Sequence, residues 1–238
     1  MVNDAFLLDE AMRGGWGRAR GELIEQVMMK VCPFDGRILD VGCGTGVNTL
    51  RLLPFGTVWA IEPVEELVSL ARSNGLVVER GSAEKYPLKL RKDFGVITMF
   101  DVLEHCENDV EALREARRHL ASDGKVFLTV PGLASLYSDF DVGWEHYRRY
   151  SQRQLGFVAG VAGFKVVHMS GWNCLLWPVS WLLRFVVRYD DVKAASGVGG
   201  KVLCGVLRVE NWLRKKGIFG RWGLSIVCVL EKDGRVLL

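Results

Sequence analysis

The stretch "RILDVGCGTGVNTL" sets Asp40 two residues ahead of Gly42, Gly44 and Gly46, three glycines on alternate positions. Glycines so placed exclude side chains, so a ligand can lie against bare backbone, and the helix that follows offers its N-terminal N–H groups. Asp40 is placed to meet a cation. Glu62 ends the next apolar run, "TVWAIE", where a carboxylate can accept from both hydroxyls of a ribose. A dinucleotide fingerprint needs a glycine at the sixth position of the loop, which here is Val47.

The chain has four histidines. His168 falls inside a predicted strand and His119 at a helix end, both structural places. His105 closes "DVLEH" behind an apolar strand and should face the same pocket, for catalysis or for a structural hydrogen bond. His146, in the loop "HYRRY", is the best candidate for a general base, since imidazole titrates near neutral pH. Arg148 and Arg149 beside it either disfavour a protonated ring or bind an anionic group of an acceptor. No cluster of three carboxylate or amide ligands suggests a magnesium site, so no metal is predicted. The six cysteines form no C-x-x-C pair and have no histidine at ligand spacing.

These residues must be positioned by a βαβ scaffold. Leu23, Ile24, Val27 and Met28 mark one face of a helix over 16–31, stopped by Pro33. Strands follow at 38–41, 57–62, 76–80, 93–100, 125–131, 164–170 and 224–231. Between the first two, a helix from Gly46 is expected to turn Val47, Leu50 and Leu53 inward. Val64, Leu67, Val68 and Ala71 stripe the next helix. Asn108, with Glu111 three residues on, caps another, and Ser151–Gln154 reads as a capping box. Such alternation implies a largely parallel sheet covered on both faces.

Composition narrows the partners. The 238 residues carry a net charge of +3, with basic residues spread along the chain, which gives no argument for nucleic acid. The start, "MVNDAFLLDEAMRGG", lacks the basic region of a secretory signal, and unpaired thiols fit a cytoplasmic protein.

Taken together, "LDVGCGTG", "AIEP", "GSAEKYPL" and "DVLEH" resemble the class I S-adenosylmethionine-dependent methyltransferases, over about residues 16–170 and the last strand. The resemblance implies a Rossmann-like α/β fold with seven strands, the last antiparallel. It implies that Asp40 faces the methionine amino group, directly or through water, that Gly42 and Gly44 allow close approach, and that Glu62, followed by Pro63, binds the ribose. Backbone at Ser82 and Ala83 would meet the adenine, with serine standing where relatives usually carry aspartate. Glu84 would compensate, or else cap a surface helix. Phe100 and Asp101 complete the implied cofactor set. "GWGRARGEL" and "HYRRYSQRQL" resemble a narrower small-molecule branch with an H-x-R-R-Y loop. In it Arg20 reaches the methionine carboxylate, the alternative being a solvated helix face.

The implied function is methyl transfer from S-adenosylmethionine, yielding S-adenosylhomocysteine, to a small or lipid-like acceptor, with oxygen as the expected atom. A nitrogen or carbon acceptor is one alternative; a non-catalytic cofactor-binding module serving a membrane-bound complex is another. One domain spans 1–238, with a Trp- and Leu-rich helical hairpin inserted at 171–221 and divided near "ASGVGG". Its segment 172–189 is too short and interrupted to span a bilayer. It remains open as a lid on the acceptor pocket, a peripheral membrane contact, or core packing. The oligomeric state is not legible.

Overall fold

A computed structural model describes residues 14–32, 36–87, 89–177, 197–218 and 222–234. Helix α1 (Gly15–Val31) leads into β1 (Gly36–Val41), the short α2 (Val47–Leu50) and β2 (Gly56–Glu62). Then come α3 (Glu65–Ser73), β3 (Val78–Arg80), β4 (Phe94–Phe100), α4 (Asp109–His119) and β5 (Leu120–Pro131). The chain continues through α5 (Asp139–Gly143), α6 (Gln152–Val161), β6 (Phe164–Trp172), α7 (Gly197–Lys215) and β7 (Ser225–Lys232). The strands form one sheet in the order β3-β2-β1-β4-β5-β7-β6. β7 lies antiparallel between β5 and β6, and the other neighbours are parallel.

Alternation along the strands builds two apolar layers. Ile97 and Met99 of β4 face Leu113 and Ala116 of α4 and Leu155 and Ala159 of α6. Val96 and Phe100 face the other way, with Leu23, Ile24 and Met28 of α1. The expected caps form: Asn108 Oδ1 accepts the Glu111 N–H at 3.0 Å, and Ser151 and Gln154 make a reciprocal box.

Two expectations are corrected. Thr49 and Leu52 turn inward while Leu50 and Leu53 are exposed, because α2 stops after four residues and a 3-10 turn over Leu53–Phe55 shifts the phase. Val64 is exposed because the helix begins one residue later, at Glu65.

Strand order reverses at β1, which has β2 on one side and β4 on the other. Loops leaving β1 and β4 therefore diverge, and ligands bind in the crevice so opened at the carboxyl ends of the strands. Of the insertion, α7 is described and begins inside "ASGVGG"; residues 178–196, most of the first arm, lie outside the described residues. α7 docks on α1, its Asn211 donating to the Ala19 carbonyl at 2.8 Å and accepting from Trp172 Nε1 at 3.0 Å. Glu210 accepts the Cys174 N–H at 2.8 Å and the Leu175 N–H at 3.2 Å.

Candidate active site

The glycine loop crosses the carboxyl end of β1 and is tied to β2 by Gly42 N–H donating to the Ile61 carbonyl at 2.8 Å. Gly42, Gly44 and Gly46 all have positive φ, which side chains disfavour. Their surroundings differ. A Cβ at Gly42 would meet Val102 Cγ2 at 2.7 Å, and one at Gly46 would meet Leu76 Cδ1 at 2.3 Å. At Gly44, no described atom lies within 4 Å of that position. The loop thus opens at Gly44, while Gly42 and Gly46 pack against the protein.

Below the loop, Asp40 is buried, with Thr49 donating to Oδ2 at 2.6 Å and Thr98 to Oδ1 at 2.7 Å. Burial pushes its carboxyl up to about 6; the two hydroxyls pull back, Glu62 adds to the rise and Arg20 opposes it. Glu62, also buried, accepts from Gly44 N–H at 2.9 Å and Val64 N–H at 3.1 Å. Burial raises its pKa against those two donors. Two buried carboxyls thus sit at the loop, each already accepting two hydrogen bonds from the protein.

Arg20 is buried, not solvated. Its Nη1 donates to Asp101 at 2.5 Å and its Nη2 to Thr129 Oγ1 at 3.0 Å, while Nε has no partner among the described residues. Thr129 in turn donates to Asp101 Oδ1 at 2.9 Å. Asp101 has φ of 55°, a left-handed conformation unusual for a residue with a side chain. Burial alone would raise its pKa, but the Arg20 charge and the two hydrogen bonds hold it below the ordinary carboxylate value. Trp16 lies under the guanidinium, 5.0 Å from ring centroid to Cζ.

The other sequence-derived positions lie along the same edge. Ser82 and Ala83 follow β3, with Ser82 bridged to Lys85 through backbone. Glu84 accepts the Asn108 N–H at 3.0 Å, which is the capping alternative. The Pro63 side chain is exposed and its carbonyl accepts from Arg80. Phe100 turns its ring into the core against Phe127, so only its backbone faces the edge.

Histidines 105 and 146 stand together, ring centroids 4.6 Å apart and nearly perpendicular. His146 Nδ1 lies 3.1 Å from Asp141 Oδ1, and Asp141, fully buried, also takes Arg149 Nε at 2.7 Å. This fixes the imidazole with Nε2 turned away from Asp141. His105 is exposed, yet desolvation and neighbouring His146 push its pKa below the ordinary imidazole value, with Asp101 and a hydrogen bond to the Glu145 backbone pulling back. Glu104 beside it is fully buried, and neither carboxylate oxygen has a hydrogen-bond donor from another described residue. Burial, reinforced by Asp101, pushes the Glu104 carboxyl well above its ordinary value. Tyr147 N–H donates to the Glu104 carbonyl at 2.8 Å, binding the histidine loop to the turn after β4.

Both flanking arginines are already engaged. Arg148 pairs with Asp109 at 2.8 Å and donates to the Glu107 carbonyl; Arg149 serves Asp141 and the Gly132 carbonyl. Neither is free to hold an anionic acceptor group, and their charges are largely spent on these partners. Thr49, Thr98, Thr129, Glu104 and Asp141 were not singled out from the sequence. Glu104 was the closest to legible, being the acid of "DVLEH" next to His105.

The sheet order and this carboxyl-edge crevice define a Rossmann-like methyltransferase fold. A family profile described as "Methyltransferase domain" matches residues 12–169, and the chain belongs to that family, the class I S-adenosylmethionine-dependent methyltransferases. Among solved structures, a SAM-dependent methyltransferase from Thermotoga maritima superposes with a TM-score of 0.65 at 19% identity, over 98% of this chain and 96% of that one. Another, from Archaeoglobus fulgidus, gives 0.60 at 18% identity over 95% and 99%. A ubiquinone biosynthesis O-methyltransferase of Xanthomonas axonopodis pv. citri is 31% identical over 115 residues, 44% of this chain and 47% of that protein. The chain therefore spans about half the length of such curated relatives.

The family's cofactor is S-adenosylmethionine, and the residues present fit it. The cradle at Gly44 is open, Asp40 and Glu62 are buried acids at its wall, and Arg20 keeps an unpartnered buried Nε–H.

Proposed function

We propose that this chain transfers a methyl group from S-adenosylmethionine to an oxygen of a small or lipid-like acceptor. The single observation that carries the acceptor side is the Asp141-oriented imidazole of His146, set against His105 and Glu104 at the carboxyl end of β4. β4 neighbours β1, whose loop opens at Gly44. When bound, the cofactor supplies a methyl group already activated on a sulfonium. Asp40 meets the ammonium, Glu62 the ribose, and Arg20 Nε–H the methionine carboxylate; backbone at Ser82 and Ala83 borders the adenine. The acceptor hydroxyl faces Glu104, His105 and His146 and loses its proton there. Alignment of this kind contributes roughly 7–11 kcal/mol to such displacements.

Relatives named as ubiquinone biosynthesis O-methyltransferases support an oxygen acceptor on a lipid-like molecule. The insertion at 171–221 is read as a lid on the acceptor pocket of the one domain, anchored through α7, which is clamped to α1 at Ala19. Among the described residues no helix is long and apolar enough to cross a membrane. The working location is the cytoplasm.

Methyl-labelled S-adenosylmethionine incubated with separate lipid and polar metabolite extracts tests the reading. Label should enter an O-methyl product with release of S-adenosylhomocysteine, and His146→Ala should lower turnover by about 10²–10⁴-fold at unchanged S-adenosylhomocysteine affinity. Label on nitrogen or carbon would reassign the acceptor. Tight cofactor binding with no turnover in any extract would make the chain a binding module.

A further inference from the structure

We propose that Glu104, His105 and His146 form a binding site for one divalent transition-metal ion, facing the acceptor. Each offers one ligand atom, and these atoms all lie within 4.8 Å of one another. Three ligands at ordinary metal–nitrogen and metal–oxygen distances of about 2.0–2.2 Å stand about 3–3.5 Å apart, so side-chain rotations that move the atoms by about an ångström close the set.

Two further observations point to an ion. Glu104 is fully buried, and its oxygens receive no hydrogen bond from another described residue. A carboxylate in that position lacks the compensation that buried charge requires, and a cation supplies it. The histidines also have polar partners of the kind that brace metal ligands. His146 Nδ1 is held by the Asp141 carboxylate at 3.1 Å, with Arg149 fixing Asp141 from behind. His105 is hydrogen-bonded to the carbonyl of Glu145, which itself adopts φ of 59°.

Two imidazoles and one carboxylate select zinc, iron, cobalt, nickel or manganese over magnesium or calcium, which prefer all-oxygen sites. Three protein ligands leave coordination positions open. An ion there acts as a Lewis acid on the acceptor hydroxyl, whose proton departs to water while the oxygen keeps the electron pair. The imidazoles are then ligands, and no side-chain base is needed. Such an ion departs from the expectation of a metal-free site: the ligands come from the loops after two different strands, and no run of sequence displays them together. The ion's purpose rests on the methyl-transfer reading; the site does not.

The test uses the full chain stripped with EDTA and freed of chelator. Titration with Co²⁺, followed by visible absorption, and with Zn²⁺, followed by calorimetry, should each show one equivalent bound per chain. His105→Ala and His146→Ala should each weaken binding by at least about 100-fold, and Asp141→Asn, which keeps the side chain's shape but removes the charge behind His146 and Arg149, by about 10–100-fold. S-adenosylhomocysteine affinity, measured on every variant, reports whether the fold survives; where an alanine variant fails it, Glu104→Gln takes its place. No saturable Co²⁺ or Zn²⁺ binding by the stripped wild type, or full affinity in a folded histidine variant, overturns the site. Undiminished turnover by the stripped enzyme overturns the ion's catalytic purpose and leaves methyl transfer standing. One bound Co²⁺ without turnover in any extract sinks methyl transfer and leaves the site.

Discussion

Replacing Asp40 by Asn should stabilise the cofactor-free protein while weakening its cofactor site. The buried carboxyl titrates at about 6, against an ordinary value of 3.8. The folded state thus holds its proton to higher pH than the unfolded chain does. Stability is lost as pH rises from about 3.8 to about 6 and is level above that. The difference amounts to about 3 kcal/mol at pH 7. The Asp40→Asn variant would carry no such cost, but its amide nitrogen must donate where the carboxylate accepted, so Thr49 or Thr98 has to turn its hydroxyl, at about 1 kcal/mol. A net gain of about 2 kcal/mol raises the melting temperature by about 4–8 °C for a chain of this size. The gain should be small near pH 5, grow to about pH 6 and then level off. Meanwhile the ammonium loses its anionic partner, a charge-assisted bond of about 1.5–3 kcal/mol, so the Kd for S-adenosylhomocysteine should rise about 10–150-fold. Scanning calorimetry from pH 5 to 8 and isothermal titration provide both readouts. A variant less stable at every pH with unchanged affinity would refute the reasoning and make Asp40 a purely structural anion.

Gly44→Val should leave a folded protein, since its side chain points into open space, but should abolish S-adenosylhomocysteine binding; the left-handed backbone adds about 1–2 kcal/mol of strain, visible in the melting curve. Glu62→Ala should weaken S-adenosylhomocysteine binding by about 10–150-fold in calorimetry, because the ribose and the Gly44 and Val64 N–H groups all lose an acceptor. Replacing Trp177 and Trp181 together by Ser should raise the acceptor's KM and spare cofactor affinity in steady-state assays. Loss of liposome binding instead would indicate a membrane contact, and a collapsed melting transition would indicate core packing.

The sequence by itself determined what depends on short range. Helix caps at Asn108 and Ser151, the punctuation at the glycine loop and the strand–helix rhythm are local, because each is set by hydrogen bonds within a few residues and by side chains alternating at fixed period. Even there phase could slip: α2 is a single turn followed by a 3-10 turn, and periodicity has no hold on so short an element. The tertiary structure alone decided which glycine of the loop borders open space, since Gly42 and Gly46 are claimed by Val102 and Leu76, residues from other segments. It alone showed Asp40 clamped between Thr49 and Thr98, and Arg148 and Arg149 consumed by Asp109 and Asp141. The gathering of Glu104 and His105 with His146 depends on β4 and β5 lying side by side and on the Tyr147–Glu104 backbone bond that joins their loops. Long-range pairing of strands, not the local sequence, brings His146 to Glu104 and His105, with their candidate ligand atoms within 4.8 Å of one another.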